Sequence, residues 1–197
     1  MDFKNSKKFF LIVTIVVFGT FLRIFLNEKV NIPNFEVMTA ISLLSGSFFG
    51  GTIAMLIPVL IMFLSDLYFG NTIIYFFTWS AFILITIFGN FIKRDSKNFL
   101  IKITGAGIFS VLFFYLWTNF GWWLTFGMYP LNLFGLIQCY LAGLPFLKNQ
   151  LISAIIFAPG LAIIFSLLFK FFRITREERA GNKDGLVSAS LLKKLFR

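Results

Sequence analysis

From Val37 to Ser65 the chain carries no charged residue, and Asp66 ends the run. As a single helix, Val37 to Gly70 would be about 51 Å long, against a hydrocarbon core of roughly 30 Å. Near the middle lies Gly46-Ser47-Phe48-Phe49-Gly50-Gly51, and glycines with a serine are what a close backbone reversal needs. Folded back there, the stretch makes a short crossing, Val37 to Phe49, and an ordinary one, Gly51 to Phe69. That choice fixes the side on which every later loop lies.

The rest of the chain is made of similar material. It is 58% hydrophobic and 13% charged, with mean hydropathy +0.88 and 30 phenylalanines among 197 residues, the composition of a polytopic membrane protein. The net charge of +10 sits in clusters beside apolar spans, where it sets topology and does not point to nucleic acid. Cys139 is the lone cysteine and there is no histidine. Those counts exclude an intramolecular disulfide, histidine general acid–base catalysis and histidine metal or haem ligation. No phosphate-binding loop or Ser/His/Asp set occurs, so no cofactor, metal or enzymatic activity is expected.

In order, the spans read Phe9 to Leu26, Val37 to Phe49, Gly51 to Phe69 with Pro58 inside, Thr72 to Ile92, Leu100 to Phe120 and Gln150 to Phe169. Arg23-Ile24-Phe25 follows the apolar run Phe9 to Leu22, where a signal peptide would carry small residues, so this is read as an uncleaved helix. Leu131 to Leu144 is apolar but short for a crossing, and reads as an interfacial helix between spans five and six. Residues 1–175 form the transmembrane domain and 176–197 a basic tail, whose Leu191-Leu192-Lys193-Lys194-Leu195-Phe196 reads as a weak surface-bound turn. With six spans, the N-tail, the Lys93–Lys102 region and the end of the chain from Lys170 share one side. They hold 3, 4 and 8 lysines and arginines, leaving only Arg23, Lys29 and Lys148 elsewhere. The positive-inside rule then places both termini in the cytoplasm and the protein in the plasma membrane. A single span at Val37 to Gly70 would break that rule.

The same topology gathers Arg23, Glu36, Asp66, Asn71, Asn119, Trp122, Trp123, Tyr129, Gln138 and Tyr140 at the outer end. Rings supply contact area and polar groups fix orientation, as an outward-opening small-molecule pocket requires. For any single Trp or Tyr an aromatic belt is the simpler explanation. Asp66 and Arg23 are more informative, because ionisable groups in apolar spans usually face a cavity or a partner: either the two form an ion pair, or Asp66 simply ends span three at the headgroups and Arg23 snorkels. Asp66, Arg23 and Asn119 are the candidates for polar contacts, with Trp122, Trp123 and Tyr129 for stacking. Glu36 reads as an interfacial residue or a helix-start charge and not as a ligand. Small residues recur four apart at Ser42, Gly46 and Gly50 and at Ala154, Ala158 and Ala162, which allows close packing within the bundle.

Leu43-Leu44-Ser45-Gly46-Ser47-Phe48-Phe49-Gly50-Gly51, continuing to Pro58 and Ser65-Asp66-Leu67-Tyr68-Phe69-Gly70, resembles the S-components of energy-coupling-factor (ECF) transporters. Thr118-Asn119-Phe120-Gly121-Trp122, Met128-Tyr129-Pro130 and Gly143-Leu144-Pro145-Phe146 resemble an uncharacterised group of small bacterial membrane proteins. The resemblance implies an all-α, six-helix S-component-like bundle that captures a vitamin-like solute from outside. A transmembrane subunit with ATPases would be its partner. The Ala-x-x-x-Ala docking pattern common in the first helix of S-components is missing; span one offers only Gly19. The alternative is a scaffolding membrane protein of the cell envelope, working through its basic tail and anionic lipid.

Overall fold

The computed structural model describes the backbone of residues 3–70 and 72–195 and the side chains of residues 8–70 and 72–171. Its regular elements are helices: α1 (Phe3–Phe25), α2 (Met38–Phe49), α3 (Gly51–Phe69), α4 (Tyr75–Gly89), α5 (Phe99–Phe126) and α6 (Leu133–Leu195). A π-helical turn, Leu26–Val30, extends α1.

The reversal inside the uncharged stretch is present. Gly50 and Gly51 have φ of 66° and 62°, which an L side chain rarely adopts, and the chain breaks there between α2 and α3. The two helices pack on one another.

α2 is the centre of the bundle. It contacts α1, α3, α4 and α5, and every residue from Met38 to Gly46 is buried. A helix apolar all round has to be enclosed by protein or lipid, and here the enclosing is done by neighbouring helices. Its closest approach is to α4, backbone to backbone: a Cβ on Gly46 would run into the Thr86 carbonyl, and one on Gly89 into Leu43. Of the small residues four apart, Gly46 therefore serves internal packing, and so do Ala154 and Ala158, which lie against Gly107 of α5, whereas Gly50 serves the reversal. Gly19 is similarly used, facing Ile61 and Ile41.

Long apolar helices with exposed aliphatic and aromatic faces make this an all-α membrane protein. Lys8–Val30, Gly51–Phe69, Phe99–Phe126 and Leu133–Phe171 are each long and apolar enough to cross a bilayer. Phe9, Phe10, Val17, Phe18 and Phe21 stand out from α1, and lipid is the solvent that such a surface fits. α2 and α4, at 12 and 15 residues, are shorter than a crossing.

Two sequence expectations are corrected. α5 does not stop at Phe120 but continues to Phe126, so Trp122 and Trp123 are helical residues. No separate interfacial helix precedes the last span, because the helix that begins at Leu133 runs on through Pro145 and Gln150. Lys148-Asn149-Gln150 looks like a boundary in sequence. In the fold Asn149 Nδ2 donates to the Pro33 carbonyl (2.9 Å) and Gln150 is buried against Glu36, so these polar groups are satisfied inside the helix. The chain divides into two compact units, Met1–Ala162 and Ile163–Arg197; the basic-tail side chains lie outside the described residues.

Candidate functional site

The short central helix leaves space at its N-terminal end. A cavity of about 690 Å³ lies there, within the size range of small-molecule sites. Every element of the first unit from α1 to α6 contributes to its wall.

From α1 and its π-turn come Arg23 and Asn27. Arg23 is fixed by α3: its Nη1 donates to Asp66 Oδ1 at 2.7 Å and also to the Ser65 hydroxyl. Of the two readings of these charges the ion pair is the one present, with both side chains mostly shielded from solvent. Asp66 Oδ2 accepts from Trp79 Nε1 at 2.8 Å. Asp66 is therefore not on the cavity wall; it stands behind Arg23 and binds α1 to α3 and α4.

The connection from Asn31 to Val37 supplies Asn31, Asn34, Phe35 and Glu36. Asn31 and Asn34 adopt left-handed backbone (φ 52° and 57°), which asparagine tolerates better than most residues. Asn149 holds Pro33, and Phe35 packs on Phe157 with ring centroids 5.4 Å apart. The Glu36 carboxylate accepts the Thr39 N–H at 3.0 Å, the Thr39 hydroxyl, and Gln150 Nε2 at 3.2 Å. Glu36 is the helix-start charge expected from sequence, since it satisfies an N–H of the first turn of α2. It also faces the cavity. Burial pushes its carboxyl pKa up, against the lowering effect of the Thr39 and Gln150 donors.

The far wall comes from α4, α5 and α6. Thr78 and Phe82, then Phe114, Thr118, Asn119 and Trp122, and finally Cys139 and Gln150 face the space. Asn119 is anchored by its own helix, Nδ2 donating to the Tyr115 carbonyl at 2.8 Å. Trp122 stacks on Phe126 (centroids 3.9 Å, interplanar 17°) while exposing an edge. Met128 and Tyr129, between α5 and α6, complete the rim.

Of the six candidates, Arg23, Asn119, Trp122 and Tyr129 line one cavity. Trp123 does not: its Nε1 donates to the Pro130 carbonyl at 2.9 Å and pins the α5–α6 connection. Tyr140 likewise serves the fold, its hydroxyl donating to Leu116 O (3.1 Å), and Gln138 is not on the wall. Asn71 lies outside the described residues. Gln150, Thr78, Thr118 and the asparagines of the α1–α2 connection are wall residues that sequence reasoning missed; a buried amide inside an apolar run was the available signal for Gln150. Among the described residues no group of acidic, cysteine or histidine side chains could hold a metal ion.

Residues 3–177 match a family model described as a family of unknown function, DUF6580. The chain belongs to the DUF6580 family. No curated protein and no solved structure matches it.

The cavity end of this DUF6580 protein is opposite its most basic described connection. Ser47, near the α2–α3 reversal, donates to the Ile92 carbonyl, and Arg94 lies over the Phe48 ring, 5.9 Å from its centroid. The reversal and the Lys93–Lys97 loop therefore share one end of α2, and the cavity occupies the other.

Proposed function

We propose that this protein is a membrane-embedded solute-binding subunit of the S-component type, taking a vitamin-like or other small molecule from the extracellular side for uptake. The observation that carries the reading is the 690 Å³ cavity, with aromatic walls and a few convergent polar groups, at the end away from the basic loop. If the positive-inside rule orients the chain, six crossings put Lys93 to Lys102 and both termini in the cytoplasm and the cavity mouth outside. On this reading α2 crosses as a short helix, enclosed from Met38 to Gly46, and its missing length is the binding space.

The electrostatics narrow the solute. Arg23 is neutralised by Asp66, whereas the Glu36 carboxylate is held only by uncharged donors among the described residues. A neutral or cationic ring compound with hydrogen-bonding edges fits this wall, between Trp122 and the amides of Asn119 and Gln150. A transmembrane partner with ATPases would supply the energy of import.

Native mass spectrometry of the gently purified protein tests the reading, followed by thermal-shift screening of vitamins, nucleobases and related amines. A retained solute whose stabilising effect disappears in Trp122→Ala and Asn119→Ala supports it. Finding no retained solute and no stabilising compound contradicts it.

A further inference from the structure

At the other end of the bundle a second groove runs between α4 and α5. Its volume is about 550 Å³. On α5, Lys102, Gly105, Ala106 and Phe109 follow one another at helical spacing along one face, and all four line it. Phe88 of α4 closes the far side, its ring 5.5 Å from that of Phe109. Gly105 leaves a slot in the wall: a Cβ built there meets nothing within 4 Å. Lys93 and Ser96 stand with Lys102 around the groove.

The groove is basic at its mouth and apolar along its length. No carboxylate lines it; Asp95, on the same loop, is almost fully exposed and turned to Arg94 at 3.5 Å. The Ser96 hydroxyl is closed off even from water, so Lys93 and Lys102 are the polar groups that a ligand in the groove can reach. Two lysines at one mouth suit an oxyanion. A free phosphate would satisfy the lysines but leave the aromatic slot empty. A zwitterionic lipid would bring its own cation to a site that already has two.

We propose that this groove seats one anionic phospholipid, its phosphate held by Lys93 and Lys102 and the upper part of an acyl chain lying along Gly105 between Phe88 and Phe109. Basic pockets between membrane helices are suited to such headgroups. The site is separate from the solute cavity and does not depend on what that cavity binds.

The test is thermal unfolding of the full-length protein in a neutral detergent, with phosphatidylglycerol, phosphatidylcholine or inorganic phosphate added at equal concentration. Phosphatidylglycerol should raise the melting temperature by several degrees and the other two should not. Lys93→Gln/Lys102→Gln should abolish the shift. Gly105→Leu, which places its side chain in open space, should abolish most of it by filling the slot. Lys97→Gln, on the same loop but off the groove, should retain it. Equal shifts with both lipids, a shift reproduced by inorganic phosphate, or a full shift in either groove variant would each overturn the proposal.

Discussion

Near Gly46, α2 meets α4 backbone to backbone, with no side chain between them. Ten residues earlier in the chain, near Glu36, amides, methionines and rings hold the helices apart around an open space. The same short helix is locked at one end and leaves a cavity at the other. Small residues allow dispersion contact between backbones, the main source of helix association where lipid removes the hydrophobic drive. Bulky and polar residues prevent that contact and must be paired instead, which is why Arg23, Asp66, Trp79, Glu36 and Gln150 form bonded groups.

The contrast breaks most sharply at the locked end. Gly46→Leu would push a side chain into the Thr86 carbonyl and should cost about 3 kcal/mol or more, seen as loss of the folded, monodisperse protein on heating. An equally bulky change at Gly50, where nothing lies within 4 Å, would be opposed only by its positive φ and should cost less.

At the cavity end, removing one partner should matter more than removing both. Arg23→Ala leaves Asp66 shielded and without its guanidinium, and should destabilise by about 2 kcal/mol, below the value for a fully buried pair because both groups keep some exposure. Arg23→Ala/Asp66→Asn should cost less than the sum of the single changes in a thermal-unfolding cycle. Additive losses would mean that the pair does not couple α1 to α3.

Trp122→Ala sharpens the comparison differently. It removes an exposed wall of the cavity, so stability should change little. Affinity for the solute recovered with the protein should fall roughly tenfold in a titration. Trp123→Ala should do the reverse, removing one of the two donors to the Pro130 carbonyl (the Asn132 N–H is the other) and loosening the α5–α6 connection while sparing direct wall contacts.

The smallest effect is at Glu36. Its carboxyl pKa is raised in the fold, so the native protein binds that proton up to higher pH than the unfolded chain does. This group therefore adds stability below the ordinary carboxylate pKa, and that contribution is lost as pH rises through the raised value. Glu36→Gln keeps an acceptor for Thr39 and should flatten this part of the stability–pH curve. Arg23, Tyr129 and Cys139 are the other titratable groups on the wall among the described residues and remain in that variant.

Much of the architecture was readable in the residues because the glycines act locally. Gly50-Gly51 fixed the end of α2 and the start of α3 to the residue, whereas the Arg23–Asp66 pair was one of two readings of charges in apolar spans until the fold brought them together. Asn149 and Gln150 misled for the opposite reason. They resemble a helix boundary until Pro33 and Glu36, more than a hundred residues earlier, supply their partners. Trp122 and Trp123 are adjacent and alike in sequence, but successive helix positions point about 100° apart, so one faces the cavity and the other the Pro130 connection. Long-range pairing and helix phase decide such cases, and neither is local.

The central claim is that the cavity and the Lys93 loop face opposite sides of the membrane. With Cys139 replaced by alanine, single cysteines at Asn31 and at Lys97 can be treated with a membrane-impermeant maleimide in intact cells. The account predicts rapid labelling of Asn31→Cys and labelling of Lys97→Cys only after the membrane is opened. Labelling of Lys97→Cys from outside, with Asn31→Cys protected, would contradict it.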